Sequence, residues 1–212
     1  MTPTRSRDFD SEMGLFSEEE PGRKGEILDA AATIFAESGY TGGSMREIAK
    51  RVGVSEPALY RHFPSKEAIF LTMVRLGAGR LRGEAMELIR GLGPRDLRTQ
   101  LIALFVDRRQ AIRRYSVLPR AVMPAVARNP AFLGEVRASL VEPVRAALTE
   151  KVAELDDALG LPADAGTTRD ARVRALIALF VGSFVSSTVL GDEPDEAVAD
   201  AALRIMGWSE PG

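Results

Sequence analysis

Apolar residues recur at helical spacing along this chain from residue 27 onward, and nowhere do they alternate as a half-buried strand requires. Ile27, Leu28, Ala31, Ile34 and Phe35 share one face of a first helix, which "ESGY" stops with Gly39 as its C-cap. Ser44 and Glu47 have the spacing of a capping box, and Met45, Ile48, Ala49 and Val52 form the stripe of a short second helix. Gly53 ends it, and Ser55 offers a new cap one residue after Val54. "EPALYRHF" predicts a third helix, with Pro57 in the first turn, where a missing amide proton costs nothing. Leu59 and Phe63 point back toward the first two helices. Two short helices joined by a glycine-containing turn, behind a packing helix, make a helix-turn-helix.

Beyond Pro64 the pattern stays helical. Ser65 caps a long helix that starts at Lys66 and carries several glycines, and Gly93-Pro94 ends it. Leu97, Leu101, Leu104, Phe105 and Ile112 mark the next helix. Pro119 and Pro124 are expected to break "YSVLPRAVMPAVARNP" into short pieces. A long stripe follows through Leu133, Val136, Leu140, Val144, Leu148, Val152 and Leu155, with Pro143 expected to kink it and free the carbonyl of Ser139. "LPADAGTTRD" reads as a loop before two last helices. The fold class is therefore all-α: a flexible tail over 1–20, a three-helix domain with the helix-turn-helix over 21–66, and a helical domain over 67–212.

Composition narrows the function. The chain has 212 residues, 45% of them hydrophobic and 27% charged, enough for one or two packed domains. With no cysteine and one histidine, cysteine-ligated metals and disulfides are excluded, and no metal or other cofactor is expected. No run of about 18 apolar residues appears, so no membrane partner is expected. The first 20 residues lack the apolar core of a signal peptide, which points to the cytoplasm. Net charge is −2, but unevenly spread: residues 1–20 carry two bases against six acids, and residues 21–66 seven bases against five acids.

The single histidine, His62, follows Tyr60 and Arg61 on the third helix. An active site there is a poor reading, because consecutive helical residues face different directions and no nucleophile with an orienting carboxylate accompanies them. A short protruding helix that enters a DNA major groove, about 12 Å wide, suits the three residues better.

The stretch "ILDAAATIFAESGYTGGSMREIAKRVGVSEPALYRHFPSKEAIF" resembles the DNA-binding domain of the tetracycline-repressor (TetR) family of bacterial transcriptional regulators. Ala31-Ala32 and Phe35, "GY", "IA", "GVS" and "LYRHFPSKE" carry the likeness, over residues 25–70. The resemblance implies that Tyr60 and Lys66 contact phosphates, that His62 lies beside the DNA backbone, and that the start of the third helix reads bases. Ser55, Glu56, Pro57, Ala58 and Arg61 are what that helix presents. Pro57 and Ala58 suit thymine methyls, Arg61 suits guanine or phosphate, and Glu56 suits cytosine or simply its own helix start. Arg46 is placed to reach phosphate. The family usually has threonine or a similar residue where this chain has Gly43, so that hydroxyl contact is lost, while Ser44 keeps its cap and offers its backbone amide to phosphate.

For the remainder the resemblance implies a ligand-binding and dimerisation domain. Ala175, Ala178, Leu179, Gly182, Ser183 and Ser186 form a small-residue side of the penultimate helix, suited to close approach in a homodimer. Phe105, Tyr115, Met123, Phe132, Phe180 and Phe184 are the candidate lining of a pocket for a mostly apolar small-molecule effector. The expected function is a homodimeric repressor on a palindromic double-stranded DNA operator, released by that ligand. The alternative is a DNA-bound adaptor that recruits a protein partner and has no effector.

Overall fold

The computed structural model describes residues 14–17, 20–105, 117–161, 168–186 and 196–208. Every regular element among them is a helix: α1 (Arg23–Gly42), α2 (Met45–Val52), α3 (Glu56–His62), α4 (Lys66–Gly91), α5 (Leu97–Phe105), α6 (Val117–Val126), α7 (Pro130–Val136), α8 (Glu142–Ala158), α9 (Arg169–Val185) and α10 (Glu196–Met206). None is long and apolar enough to cross a membrane. The chain forms two compact units, one of Met1–Arg80 with Arg114–Ser139, the other of Leu81–Arg113 with Leu140–Gly212. The boundary drawn from sequence at residue 66 thus lies inside the first unit, which takes in the start of α4 as well as α6 and α7.

In the first unit α1 is the central element. Its Ile27, Leu28, Ala31, Ile34 and Phe35 are all buried, as their spacing predicts, together with Ile48, Leu59, Phe63, Ile69 and Phe70 from α2 to α4. The backbone of α1 turns left-handed at Gly39 (φ 72°), where the sequence places its end. α6 packs along α1, and Gly77 of α4 lets it approach: a β-carbon there would lie 2.8 Å from Leu118.

Part of the expected tail is folded. Leu15 and Phe16 are buried, and the Asp29 carboxylate of α1 accepts hydrogen bonds from the Phe16 amide (2.8 Å), the Ser17 amide (3.2 Å) and the Ser17 hydroxyl (2.5 Å). Gly25 makes room for this arm, since a β-carbon there would sit 2.3 Å from the Glu20 carbonyl oxygen. The cause lies in the residues: the burial of two adjacent bulky apolar side chains and the three hydrogen bonds to Asp29 act together against the cost of ordering the segment.

Two further expectations change. Residues 117–126 form one helix rather than pieces, because Pro119 falls in the first turn, where amides have no helical acceptor, and Pro124 stands near the far end. Pro143 does not simply kink its helix. A π-helical turn, Arg137–Val141, joins α7 to α8 directly before it, which widens the ladder where a regular one would drive the ring against the Ser139 carbonyl. Leu133 leaves the predicted stripe and is 44% exposed, since its neighbour Phe132 takes the buried position.

The second unit packs Ile89, Leu92, Leu97, Leu101, Leu148, Val152, Leu155, Val173 and Leu176 into one core with Ala199, Ala202 and Trp208. A polar knot lies inside it. Asp156, fully buried, accepts from both terminal nitrogens of Arg172 (3.1 and 2.5 Å), from Arg169 (3.2 Å) and from the Trp208 indole (3.2 Å). Arg172 also donates to the Met206 carbonyl at 2.7 Å, which ties the end of α10 to α8 and α9.

Candidate nucleic-acid interface

The start of α2 is held by its own side chains. Ser44 Oγ accepts from the Glu47 amide (3.2 Å), and the Glu47 carboxylate accepts from the Ser44 amide (2.9 Å) and hydroxyl (2.8 Å). The capping box predicted from sequence is therefore complete. In this structure the Ser44 amide, expected to face a phosphate, donates to the exposed Glu47 carboxylate. Gly53, left-handed at φ 75°, ends α2 and turns the chain into α3 within two residues. Ser55 Oγ then accepts from the Ala58 amide at 3.3 Å.

α3 is fixed from behind by buried Leu59, with buried Phe63 as its C-cap. What remains outward is the predicted set. Ser55, Glu56, Pro57, Arg61 and His62 are exposed, Tyr60 is 47% exposed despite its size, and Ala58 is half-buried. Exposed Arg46 and Lys50 flank them from α2. Nearby cations are already engaged: Arg23 pairs with Glu26 (2.5 Å) and donates to the Val52 carbonyl (3.3 Å), and Arg51 pairs with Glu37 (3.3 Å). Among the described residues Arg46, Lys50, Arg61 and His62 make no ion pair. Four uncommitted basic side chains of this region thus lie on α2 and α3, beside a large exposed phenol, and exposed Lys24 of α1 makes no ion pair among the described residues either.

Lys66, expected to contact a phosphate, is engaged within the chain. Its ammonium donates to the carbonyls of Tyr40 (2.8 Å) and Gly43 (2.9 Å) and lies 4.5 Å from the centre of the Tyr40 ring. Two of its three protons are therefore spent on the turn between α1 and α2. Tyr40 belongs to a cluster with Phe35, Phe70 and Phe132; burial first, and then the charge of Glu67, hold its phenol above the ordinary range. Gly43 is buried, and a β-carbon there would lie 2.9 Å from Ile34 Cγ2 and from the Phe35 ring. The missing threonine is thus matched by the packing beneath it.

Of the candidate pocket residues, Met123 and Phe132 belong to the first unit and Phe105 and Phe180 to the second. Phe105 is buried in the second unit with its ring 5.8 Å from that of Phe180. Phe132 is buried in the aromatic cluster of the first unit, and Met123, also of that unit, is 55% exposed. Tyr115 and the side chain of Phe184 lie outside the described residues. On α9 buried Val173 and Leu176 enter the core of the second unit. On the small-residue side Ala178 and Gly182 are exposed, and Ala175, Leu179, Ser183 and Ser186 are half-buried. Val181, 49% exposed, extends this face and was absent from the sequence-based set. Tyr40 was missed as well; its signal was an aromatic residue set just after a glycine stop.

Known proteins are similar in sequence over this region and in fold over most of the chain. Residues 27–73 match the pattern of the bacterial regulatory proteins of the tetR family. The chain is 45% identical over 53 residues to the HTH-type transcriptional activator FasR of Mycolicibacterium smegmatis, covering 25% of this chain and 24% of that protein. It is 39% identical over 92 residues to the HTH-type transcriptional repressor KstR2 of Rhodococcus jostii, covering 43% of this chain and 44% of that protein. These matches span less than half the length of the curated relatives. In fold, Salmonella enterica GusR superposes with a TM-score of 0.64 at 25% identity, over 86% of this chain and 92% of its own. The regulator FadR from Bacillus subtilis, solved in complex with stearoyl-CoA, superposes with a TM-score of 0.61 at 16% identity, over 88% and 98%.

Proposed function

We propose that this chain, whose residues 27–73 match the tetR family of bacterial regulatory proteins, is a cytoplasmic, homodimeric transcriptional repressor that binds a two-fold symmetric DNA operator. The observation that carries this reading is the outward face of α3. A short helix locked from behind by Leu59 and Phe63 exposes Glu56, Pro57, Tyr60, Arg61 and His62 together. Such a helix has the size and the chemistry to read base edges while its flanking cations meet phosphates. Pro57 and Ala58 contact thymine methyls, Tyr60 and His62 the backbone, and Arg46 a phosphate. A single half-site specifies too little, so two copies are needed about 34 Å apart. The exposed Ala178, Val181 and Gly182 of α9 support a helix-to-helix contact between copies.

Release by a small, mostly apolar ligand completes the proposal. It is supported by the fold shared with FadR, whose structure holds stearoyl-CoA, and by the aromatic pair Phe105–Phe180 in the second unit. The test is to select duplexes from random DNA with the purified protein and sequence them. Palindromic sites with half-sites one helical turn apart are expected. Recovery of no preferred sequence overturns the reading.

A further inference from the structure

We propose that Phe132 is a positioning residue for operator binding, acting through Tyr40 and Lys66 on the turn that leads into α2. The proposal rests on the DNA-binding reading above. Phe132 lies 70 or more residues beyond α2 and α3 in sequence, yet the fold joins it to them by direct contacts. Its ring is 5.0 Å from that of Tyr40, nearly perpendicular at 83°, and 4.3 Å from that of Phe70. Tyr40 in turn holds Lys66 in two ways, through its ring face and through its carbonyl oxygen. The same ammonium bonds the carbonyl of Gly43, the residue before the Ser44 cap.

Each link is directional. Edge-to-face rings, a cation over a ring and charge-assisted hydrogen bonds all lose strength when one partner shifts or tilts. Gly39, Gly42 and Gly43 make this stretch of backbone permissive, so the Lys66 bonds act beside the Gly43–Gly39 backbone bond (3.1 Å) and the packing of Gly43 on Ile34 and Phe35 in fixing it. Where this turn sits decides where the start of α2, with exposed Arg46, meets the DNA backbone. Removing the ring at 132 takes away one of the three rings that Tyr40 packs against, and the turn that Lys66 pins is then held less firmly.

The test is a double-mutant cycle on the full-length protein, titrated against the tightest duplex recovered from random DNA. Phe132→Leu keeps an apolar side chain and removes the ring, while Lys66→Met keeps length and removes the charge. Each is expected to weaken operator binding about tenfold, and the double variant no more than either alone. Amide hydrogen exchange at residues 40–46 should quicken in Phe132→Leu, while exchange at residues 27–34 of α1 stays unchanged. Phe132→Met, which fills more of the site, replaces the leucine variant if that fails to fold. Additive losses, wild-type affinity in the Phe132 variant, or lost affinity without faster exchange at 40–46 overturns the proposal. A wild-type protein that prefers no sequence overturns instead the DNA-binding reading on which it stands.

Discussion

Asp156 and Arg172 face each other through two hydrogen bonds, 3.1 and 2.5 Å long, with the carboxylate wholly out of solvent and the guanidinium nearly so. Such a pair adds little over an apolar replacement, but removing one partner strands the other charge. Asp156→Asn should therefore cost about 3–5 kcal/mol. Urea unfolding followed by the fluorescence of Trp208, the single tryptophan, measures it directly. A loss below about 1 kcal/mol, the scale of an ordinary net hydrogen bond, would mean the pair is replaceable.

Acid should reveal the same knot. Burial alone pushes the Asp156 carboxyl upward, but the hydrogen bonds from Arg172, Trp208 and Arg169 outweigh it and hold the group below the ordinary range. A depressed folded value stabilises the protein above the unfolded value, about 3.9, and that stability is lost as pH falls through the folded one. The stability gap between wild type and Asp156→Asn should be full above about pH 4 and shrink below it. A gap independent of pH would show that the carboxylate's charge is not what matters.

Gly25→Ala sets helix propensity against space. Alanine favours a helix by about 1 kcal/mol over glycine, yet its β-carbon would crowd the Glu20 carbonyl and the Ser17 α-carbon. Net destabilisation of about 1–3 kcal/mol is expected, with the arm displaced. Chymotrypsin should then cut after Phe16, which is buried in the wild type. A more stable variant with an intact arm would show that the arm adjusts without loss.

Gly182→Leu probes the proposed contact between copies. Among the described residues nothing lies within 4 Å of a β-carbon at this exposed position, which leaves room for a larger side chain within one copy. A close helix contact does not, and a symmetric interface meets the overpacking, about 1–3 kcal/mol, twice. Sedimentation should find a folded monomer with weakened operator binding. An intact dimer would move the interface away from Gly182.

Salt dependence separates two cations. Arg46→Ala should flatten the slope of log affinity against log salt by about one per subunit, the mark of a lost phosphate contact. Lys66→Met should weaken binding without an equal flattening, since its ammonium serves the Tyr40 and Gly43 carbonyls. Equal flattening by both would return Lys66 to the phosphate backbone.

The helices and the outward face of α3 were legible because local rules govern them. Ser44 with Glu47, Ser55 and Gly53 act within a few residues, and the buried faces of α1 to α3 follow the helical period. The roles of Tyr40 and Lys66 were not legible. They depend on a contact across 26 residues and on Phe132, which only the tertiary fold supplies. The Asp156 knot lay between these cases. An aspartate four residues after Val152, on a face otherwise apolar through Leu148 and Leu155, was visible as an oddity, but its partners Arg172 and Trp208 were not.

The π turn at Arg137–Val141 gives this helix a spare residue. In a regular helix, deleting one residue turns everything beyond it by about 100°. Here a deletion inside the widened turn can be absorbed by its tightening into a regular one, so that the helical phase on either side of it is kept. Pro143 opposes that repair, because a tightened ladder would press its ring against a carbonyl. The extra residue and the proline are thus a matched pair: a lineage that lost one would be expected to lose both, and a chain keeping only the proline would carry a bend where this one carries a bulge.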